Sequence, residues 1–243
     1  MATVKPINRI TNKITEFLYS FLRIEAINRL VFRLRFIYFV GVKRQVRVAE
    51  DLRGVVRPEY SISMLRRGVT SDRPLRLIRP LSVIDALDPR TAKVLSVGCR
   101  FETELLYLRA YGFRLVEGLD LVAYSPWVHV GNMHDMPYPA NTWDAVVLGW
   151  VLSYSDIPSR AAAEVVRVTR DRGIVAAAVA YYPESKLRAL AEAGTLVGGR
   201  VRLQTVKAIL DLFEGHVRNI YFAHDAPDKD VESYCAVIFS IRK

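Results

Sequence analysis

The chain has 243 residues, 51% of them apolar, enough for one large core and an appendage. Its two cysteines, Cys99 and Cys235, lie in no Cys-x-x-Cys or Cys/His cluster, so neither a disulfide framework nor a zinc centre is expected, and no metal site. The net charge of +10 is carried by residues 1–90, which hold 18 Lys and Arg against 8 Asp and Glu, whereas residues 91–243 hold 17 of each.

A basic segment on a neutral domain points to an anionic contact, either phospholipid or nucleic acid, or else to a solvated face. Lys5, Arg9 and Lys13 precede no uninterrupted apolar run with a small-residue cleavage site, so a secretory signal is not expected. With the cysteine usage this predicts a cytoplasmic protein. From Ile14 to Tyr38, apolar positions recur every three or four residues (Ile14, Phe17, Phe21, Ile24, Ile27, Val31), the period of an amphipathic helix. Its apolar surface is broad, and Arg23, Arg29, Arg33 and Arg35 interrupt it, which argues against a bilayer span. Two readings stand: an in-plane helix holding residues 14–48 on an anionic membrane surface, at the inner face, or packing on the domain or on a second copy in a homo-oligomer. Nucleic acid fits this aromatic, apolar face less well.

Residues 51–90, with Pro58, Gly68, Pro74, Pro80 and Pro89, read as a connector with one or two short helices. The expected division is therefore 1–90, a basic helical extension and connector, and 91–243, a single domain. Beyond Pro89, short β-rich runs alternate with helical stretches, the pattern of βα units around a parallel sheet. Strands are predicted at 93–99, 114–121, 143–152 and 173–181, and helices at 103–111, 159–170 and 203–213. The closing strands, about 216–222 and 233–241, are joined by a short link with Pro227, Asp228 and Asp230, which predicts an antiparallel pair.

Four landmarks, in order, resemble the class I S-adenosylmethionine-dependent methyltransferase family, in particular its type 11 branch. Val94 to Glu102 (VLSVGCRFE) stands at the first strand and glycine-rich turn, Gly118-Leu119-Asp120 at the end of the second strand, Gly131 to Pro137 (GNMHDMP) at the adenine segment, and Asn141 to Val147 at the next strand. The run Ala163 to Arg170 with Gly173 resembles the helix and turn that follow. The resemblance covers about 150 residues. It implies a doubly wound, Rossmann-like sheet, mostly parallel, and S-adenosylmethionine as cofactor. It places Val97, Gly98, Cys99, Arg100 and Glu102 around the methionine moiety, Asp120 and Leu121 at the ribose, and Asn132 and Met133 at the adenine. Physical reasons agree: ligands bind beyond the carboxyl ends of such strands, a glycine permits close approach, and an acid at a strand end can accept from vicinal hydroxyls.

The first motif departs from the family. Ser96 replaces its acid, and Arg100 and Glu102 stand where glycines are expected. Glu102 is the candidate carboxylate for the cofactor's ammonium and Arg100 the candidate partner for its carboxylate; the alternative is that the two pair with each other. Only ten residues separate Asp120 from Gly131, so one side of the sheet is expected to be trimmed. His134, Tyr154 and Asp156 are the candidate bases, with Trp150 and Tyr124 as walls. The implied function is methyl transfer to a small molecule, a lipid-linked intermediate or a glycan precursor. The alternatives are a catalytically silent binding or scaffold module, or an RNA-directed methyltransferase.

Overall fold

The computed structural model describes residue 15 and residues 17–55, 72–193 and 201–243. The predicted N-terminal helix is broken. Residues 17–20 are helical and tighten into a 3-10 turn at Phe21–Arg23; Ile24 is extended (φ −77°, ψ 114°), and α1 (Glu25–Phe36) starts afresh and widens into a π turn at Ile37–Val42. The amide of buried Asn28 donates to the Leu22 carbonyl across the break at 3.3 Å. Short strand β1 (Arg47–Val48) follows, then α2 (Leu75–Leu81) in the expected connector. No helix among the described residues is long and apolar enough to cross a membrane.

The remaining elements are β2 (Lys93–Val97), α3 (Glu102–Ala110), β3 (Leu115–Asp120), β4 (Val122–Ala123), β5 (Val128–Val130), β6 (Trp143–Gly149), α4 (Pro158–Val168), β7 (Thr169–Tyr181), α5 (Glu184–Glu192), α6 (Val206–Asp211), β8 (Val217–His224) and β9 (Ser233–Ile241). Seven strands form one sheet in the order β5-β3-β2-β6-β7-β9-β8. All neighbours are parallel except that β9 runs antiparallel to both β7 and β8, pairing with β7 from Ile174↔Ser240 to Tyr181↔Ser233. This is the doubly wound sheet with its antiparallel closing pair that the alternation of runs predicts. The chain leaves β2 outward to β3 and β5, then crosses back to β6, so the strand order reverses between β2 and β6.

The central strands read as continuous apolar runs because both their faces are covered. On one face Leu95, Val146, Val175 and Val237 pack against α4 and α6; on the other Val94, Val147, Ala176 and Ile238 pack against α2 and α3. The short connection after β3 holds no helix. Its residues Leu121, Val122 and Tyr124 join Phe101, Leu106 and Ala110 in a third cluster, which Leu22 and Phe32 of the N-terminal segment complete. The inner side of that segment is therefore domain packing, as one of the two readings predicts, while its outer side is exposed.

Candidate active site

At the carboxyl ends of β2, β3 and β6, where strand order reverses, lies a cavity of about 200 Å³. Nine of the thirteen candidate residues line it: Val97, Gly98, Cys99, Arg100, Asp120, Leu121, Met133, Trp150 and Tyr154. The turn after β2 makes this possible. Gly98 has φ +72°, and a Cβ there would lie 2.6 Å from Val151 Cβ, so no side chain fits between the two loops. Arg100 also takes a left-handed backbone, φ +48°, which turns its amide onto Asp120.

Asp120 ends β3 with its carboxylate buried. Oδ2 accepts from the Arg100 amide at 2.7 Å and Oδ1 from the Val122 amide at 3.1 Å. A carboxylate has about four acceptor sites, so capacity remains for a ligand's hydroxyls. Burial pushes its pKa up, opposed by these backbone donors.

Glu102 stands elsewhere than expected. It does not line the cavity, because its buried carboxylate is held by Arg35 of α1 through two 2.7 Å hydrogen bonds, and its amide donates to Tyr124 Oη at 3.0 Å. Tyr124 is correspondingly fully buried and is no wall of the site. Arg100 and Glu102 form no recorded pair with each other; Glu102 pairs with Arg35.

The carboxylate that does line the cavity is Glu104, two residues further along α3. It accepts from the Ser96 hydroxyl at 2.5 Å, and a Cβ on Gly149 would approach its Oε2 to 3.0 Å. Ser96 replaces the acid of the first motif, and a carboxylate from the neighbouring helix hangs on that serine. Burial raises the Glu104 pKa to about 7, which the Ser96 hydrogen bond opposes. Helical phase could have distinguished the two acids: at 100° per residue Glu102 shares a side with Leu106 and Ala110, which face α1, whereas Glu104 shares one with Tyr107 and Leu108, which belong to the cluster under the sheet. Beside Glu104, the buried Thr103 hydroxyl also borders the cavity and has no hydrogen-bond partner among the described residues.

Asn132 and His134 are placed outside the cavity. The Asn132 amide donates to the carbonyls of Asp51 (3.3 Å) and Arg53 (2.9 Å), while its Oδ1 accepts from the His134 amide (3.0 Å) and from His134 Nδ1 (2.7 Å). Because Oδ1 can only accept, Nδ1 carries the proton and Nε2 accepts from the Ser155 hydroxyl at 2.6 Å. Burial and the charge of Arg160 lower the His134 pKa, keeping this neutral tautomer. Asp156 is exposed and gives its backbone amide to Gly54 at 2.8 Å. These three residues fasten the segment 51–55 across the strand ends, and Val55 thereby becomes part of the cavity wall, as do Arg73 and Pro74. Of the candidate bases only Tyr154 reaches the cavity.

The strand order, the reversal point and the position of the cavity define the class I methyltransferase fold. Residues 95–177, about a third of the chain, match the family model described as methyltransferase domain. No curated protein sequence matches the chain. Among solved structures it is similar to a chain of the complex between the Haloferax volcanii Trm112 methyltransferase activator and the putative methyltransferase (18% identity, TM-score 0.52, 77% of this chain and 98% of that one). It is also similar to geranyl diphosphate C-methyltransferase from Streptomyces coelicolor A3(2) in complex with Mg2+, geranyl diphosphate and S-adenosyl-L-homocysteine (16%, 0.50, 80% and 88%). A third is the [4+2]-cyclase SpnF (15%, 0.51, 69% and 80%). At these identities the likeness establishes the fold, which one of these proteins uses for a cyclisation.

Proposed function

We propose that the chain is an S-adenosylmethionine-dependent methyltransferase acting on a small molecule, a lipid-linked intermediate or a glycan precursor. The observation that carries this is the polar inventory of the cavity. Asp120 would take the ribose hydroxyls, Glu104 would take the ammonium in place of the motif's own acid, and the unpartnered Thr103 hydroxyl has bonding capacity for the methionine end. Arg100, which also lines the cavity, would face the carboxylate, and Leu121 and Met133 supply apolar surface for the adenine. The cofactor brings an activated methyl group, so the chain's part is placement: holding donor and acceptor in line can contribute several kcal/mol to the barrier.

Isothermal titration of S-adenosylmethionine and S-adenosylhomocysteine into the full chain tests the reading. One-to-one binding that weakens in Asp120→Ala and Glu104→Gln is expected. Absence of binding by both would remove the assignment, and tight binding with no methyl transfer to any acceptor would favour a silent scaffold module.

We further read the outer side of residues 17–42 as the surface that holds the protein at an anionic membrane, and residues 1–90 as the part that supplies this contact. Phe17, Leu18, Leu30, Leu34, Ile37 and Val42 are each more than half exposed, and the basic residues Arg29, Arg33, Lys43 and Arg44 stand beside them. Apolar insertion plus headgroup attraction is the pairing such helices use, and it favours lipid over an RNA partner.

A further inference from the structure

Three stretches far apart in sequence meet at the side chain of His134, to which the methyl-transfer reading gives no role. Each stretch carries a residue of the cavity wall next to a member of this junction: Val55 follows Gly54, Met133 lies between Asn132 and His134, and Tyr154 precedes Ser155. Asn132, His134 and Ser155 are all buried, so their hydrogen bonds are shielded from solvent. The polarity of the relay is fixed from one end. Main-chain carbonyls only accept, so Asn132 Nδ2 must face those of Asp51 and Arg53, at 3.3 and 2.9 Å. Its Oδ1 is thereby turned to His134, where it accepts from the backbone amide at 3.0 Å and from Nδ1 at 2.7 Å. Nε2 is left to accept from the Ser155 hydroxyl at 2.6 Å, and Ser155 Oγ accepts in turn from the Ile157 amide at 3.1 Å. The ring is also a floor for the main chain. Gly54 has φ +74°, and a Cβ there would lie 3.1 Å from His134 Cε1 and 3.2 Å from Nδ1, so the backbone runs directly against the imidazole. The Gly54 carbonyl accepts from the Asp156 amide at 2.8 Å, and Val55 bridges to Ser155.

We propose that His134 is a positioning residue of the cavity: its neutral Nδ1–H form sets Val55, Met133 and Tyr154 together, and its protonation loosens the cavity's hold on an adenosine-bearing ligand. The proposal rests on the methyltransferase reading for the identity of the ligand, and on the relay alone for the role of His134. A second proton, on Nε2, makes both ring nitrogens donors. The Ser155 hydroxyl must then stop donating to the ring and find another acceptor inside the protein. The new cation would also stand beside Arg160 of α4, whose Nε donates to the His134 carbonyl at 2.9 Å. The other charged groups around the ring are Asp156 and Asp51, the latter paired with the exposed Arg53. Burial and Arg160 hold the His134 pKa below its ordinary 6.5, and the two carboxylates oppose them. The relay is therefore complete above pH 6.5 and is lost as pH falls through the lower folded-state value.

The test uses the full chain and 5′-methylthioadenosine, which keeps the adenosine but lacks the amino-acid end, so Glu104 has no ammonium to bind. Nitrogen NMR of protein labelled at histidine should show Nδ1 protonated and Nε2 unprotonated for His134 at about pH 7.5. Calorimetry at that pH should show the parent binding about fivefold more tightly than His134→Gln, the worth of the hydrogen bond to Asn132 that a glutamine facing Ser155 gives up. This advantage should shrink toward unity over the pH range in which the His134 ring signals titrate. A side chain that only fills space would give a ratio independent of pH. Hydrogen exchange of the Asp156 amide reports the contact with Gly54 without any ligand, and should be about fivefold faster in the variant. A ring protonated at Nε2 instead of Nδ1, a binding ratio that does not change with pH, or equal Asp156 exchange would overturn the proposal; the first of these needs neither the variant nor a ligand. If 5′-methylthioadenosine and S-adenosylhomocysteine bind at no pH while Asp156 exchange depends on His134, the positioning role stands and the methyltransferase reading falls.

Discussion

Arg35 and Glu102 meet through two parallel 2.7 Å hydrogen bonds, with the carboxylate fully buried and the guanidinium 3.6 Å above the ring of Trp127. This pair joins the N-terminal helix to the first residue of α3, immediately beside the turn that shapes the cavity. Removing the arginine alone would leave a buried charge without a counterion. Arg35→Met is therefore expected to destabilise the fold by about 3–5 kcal/mol, whereas Arg35→Met with Glu102→Leu should recover most of that loss. Urea denaturation of the single and double variants measures both, and a single variant as stable as the parent would show that the pair contributes no net attachment.

Asp120→Ala is expected to lower S-adenosylhomocysteine affinity by about 1.5–3 kcal/mol, the worth of hydrogen bonds to a charged group. The same change releases the Arg100 and Val122 amides, so thermal unfolding of the unliganded protein should accompany the titration. A fall in stability with affinity preserved would make Asp120 a brace for the turn and not a ribose ligand.

Glu104 predicts a pH signature. Its folded-state pKa is raised from 4.5 to about 7, so the folded state binds the extra proton between those values. Stability from this group is present below pH 4.5 and is lost as pH rises through 7, by about 3 kcal/mol in all. Glu104→Gln should abolish this slope and make the unliganded protein more stable than the parent at pH 8. Ligand binding should run the other way: an ammonium prefers the ionised carboxylate, so parental affinity for S-adenosylhomocysteine should rise from pH 6 to 8, while the Gln variant binds weakly at both. Denaturation and titration at the two pH values check the signs, and a parent with no pH dependence in either would remove Glu104 from the ammonium site.

The exposed side of the N-terminal helices should bind vesicles containing phosphatidylserine and should lose that binding in Leu30→Gln/Leu34→Gln/Ile37→Gln, whose side chains are 57%, 60% and 61% exposed and so leave the inner packing intact. Each basic residue near the surface contributes about 1 kcal/mol at most, so added salt should weaken sedimentation without abolishing it. Equal sedimentation of the triple variant would assign the apolar side to contact with another protein chain.

The sheet was legible because its information is local. Strand β7 from Gly173 to Val179 is buried throughout, and a short apolar run of this kind is what a strand covered on both faces writes into the sequence. Strands of two or three residues, such as β4 and β5, carry no such run and went unpredicted. The break at Ile24 was invisible for another reason: the apolar spacing continues across it, and it shows in the extended backbone of Ile24 and in the Asn28 contact with Leu22. In the site, the turn at Gly98 and the acid at Asp120 could be read from their own neighbourhoods. The choice between Glu102 and Glu104 needed to know which side of α3 met α1, and the fates of Asn132 and His134 depended on carbonyls about eighty positions earlier. Periodicity holds no record of such distant partners.

The strap at 47–55 sets an order of events. Its strand β1 pairs with β4, its carbonyls hold Asn132, and Val55 bridges to Ser155, so partners from positions 122 to 155 must exist before it can close. During synthesis the first quarter of the chain emerges with its apolar side chains unmatched and must wait for roughly a hundred further residues. Competence to hold a ligand is therefore expected to arise late and all at once, and fragments that end before β6 should be captured by chaperones and not accumulate as a folded, ligand-binding intermediate.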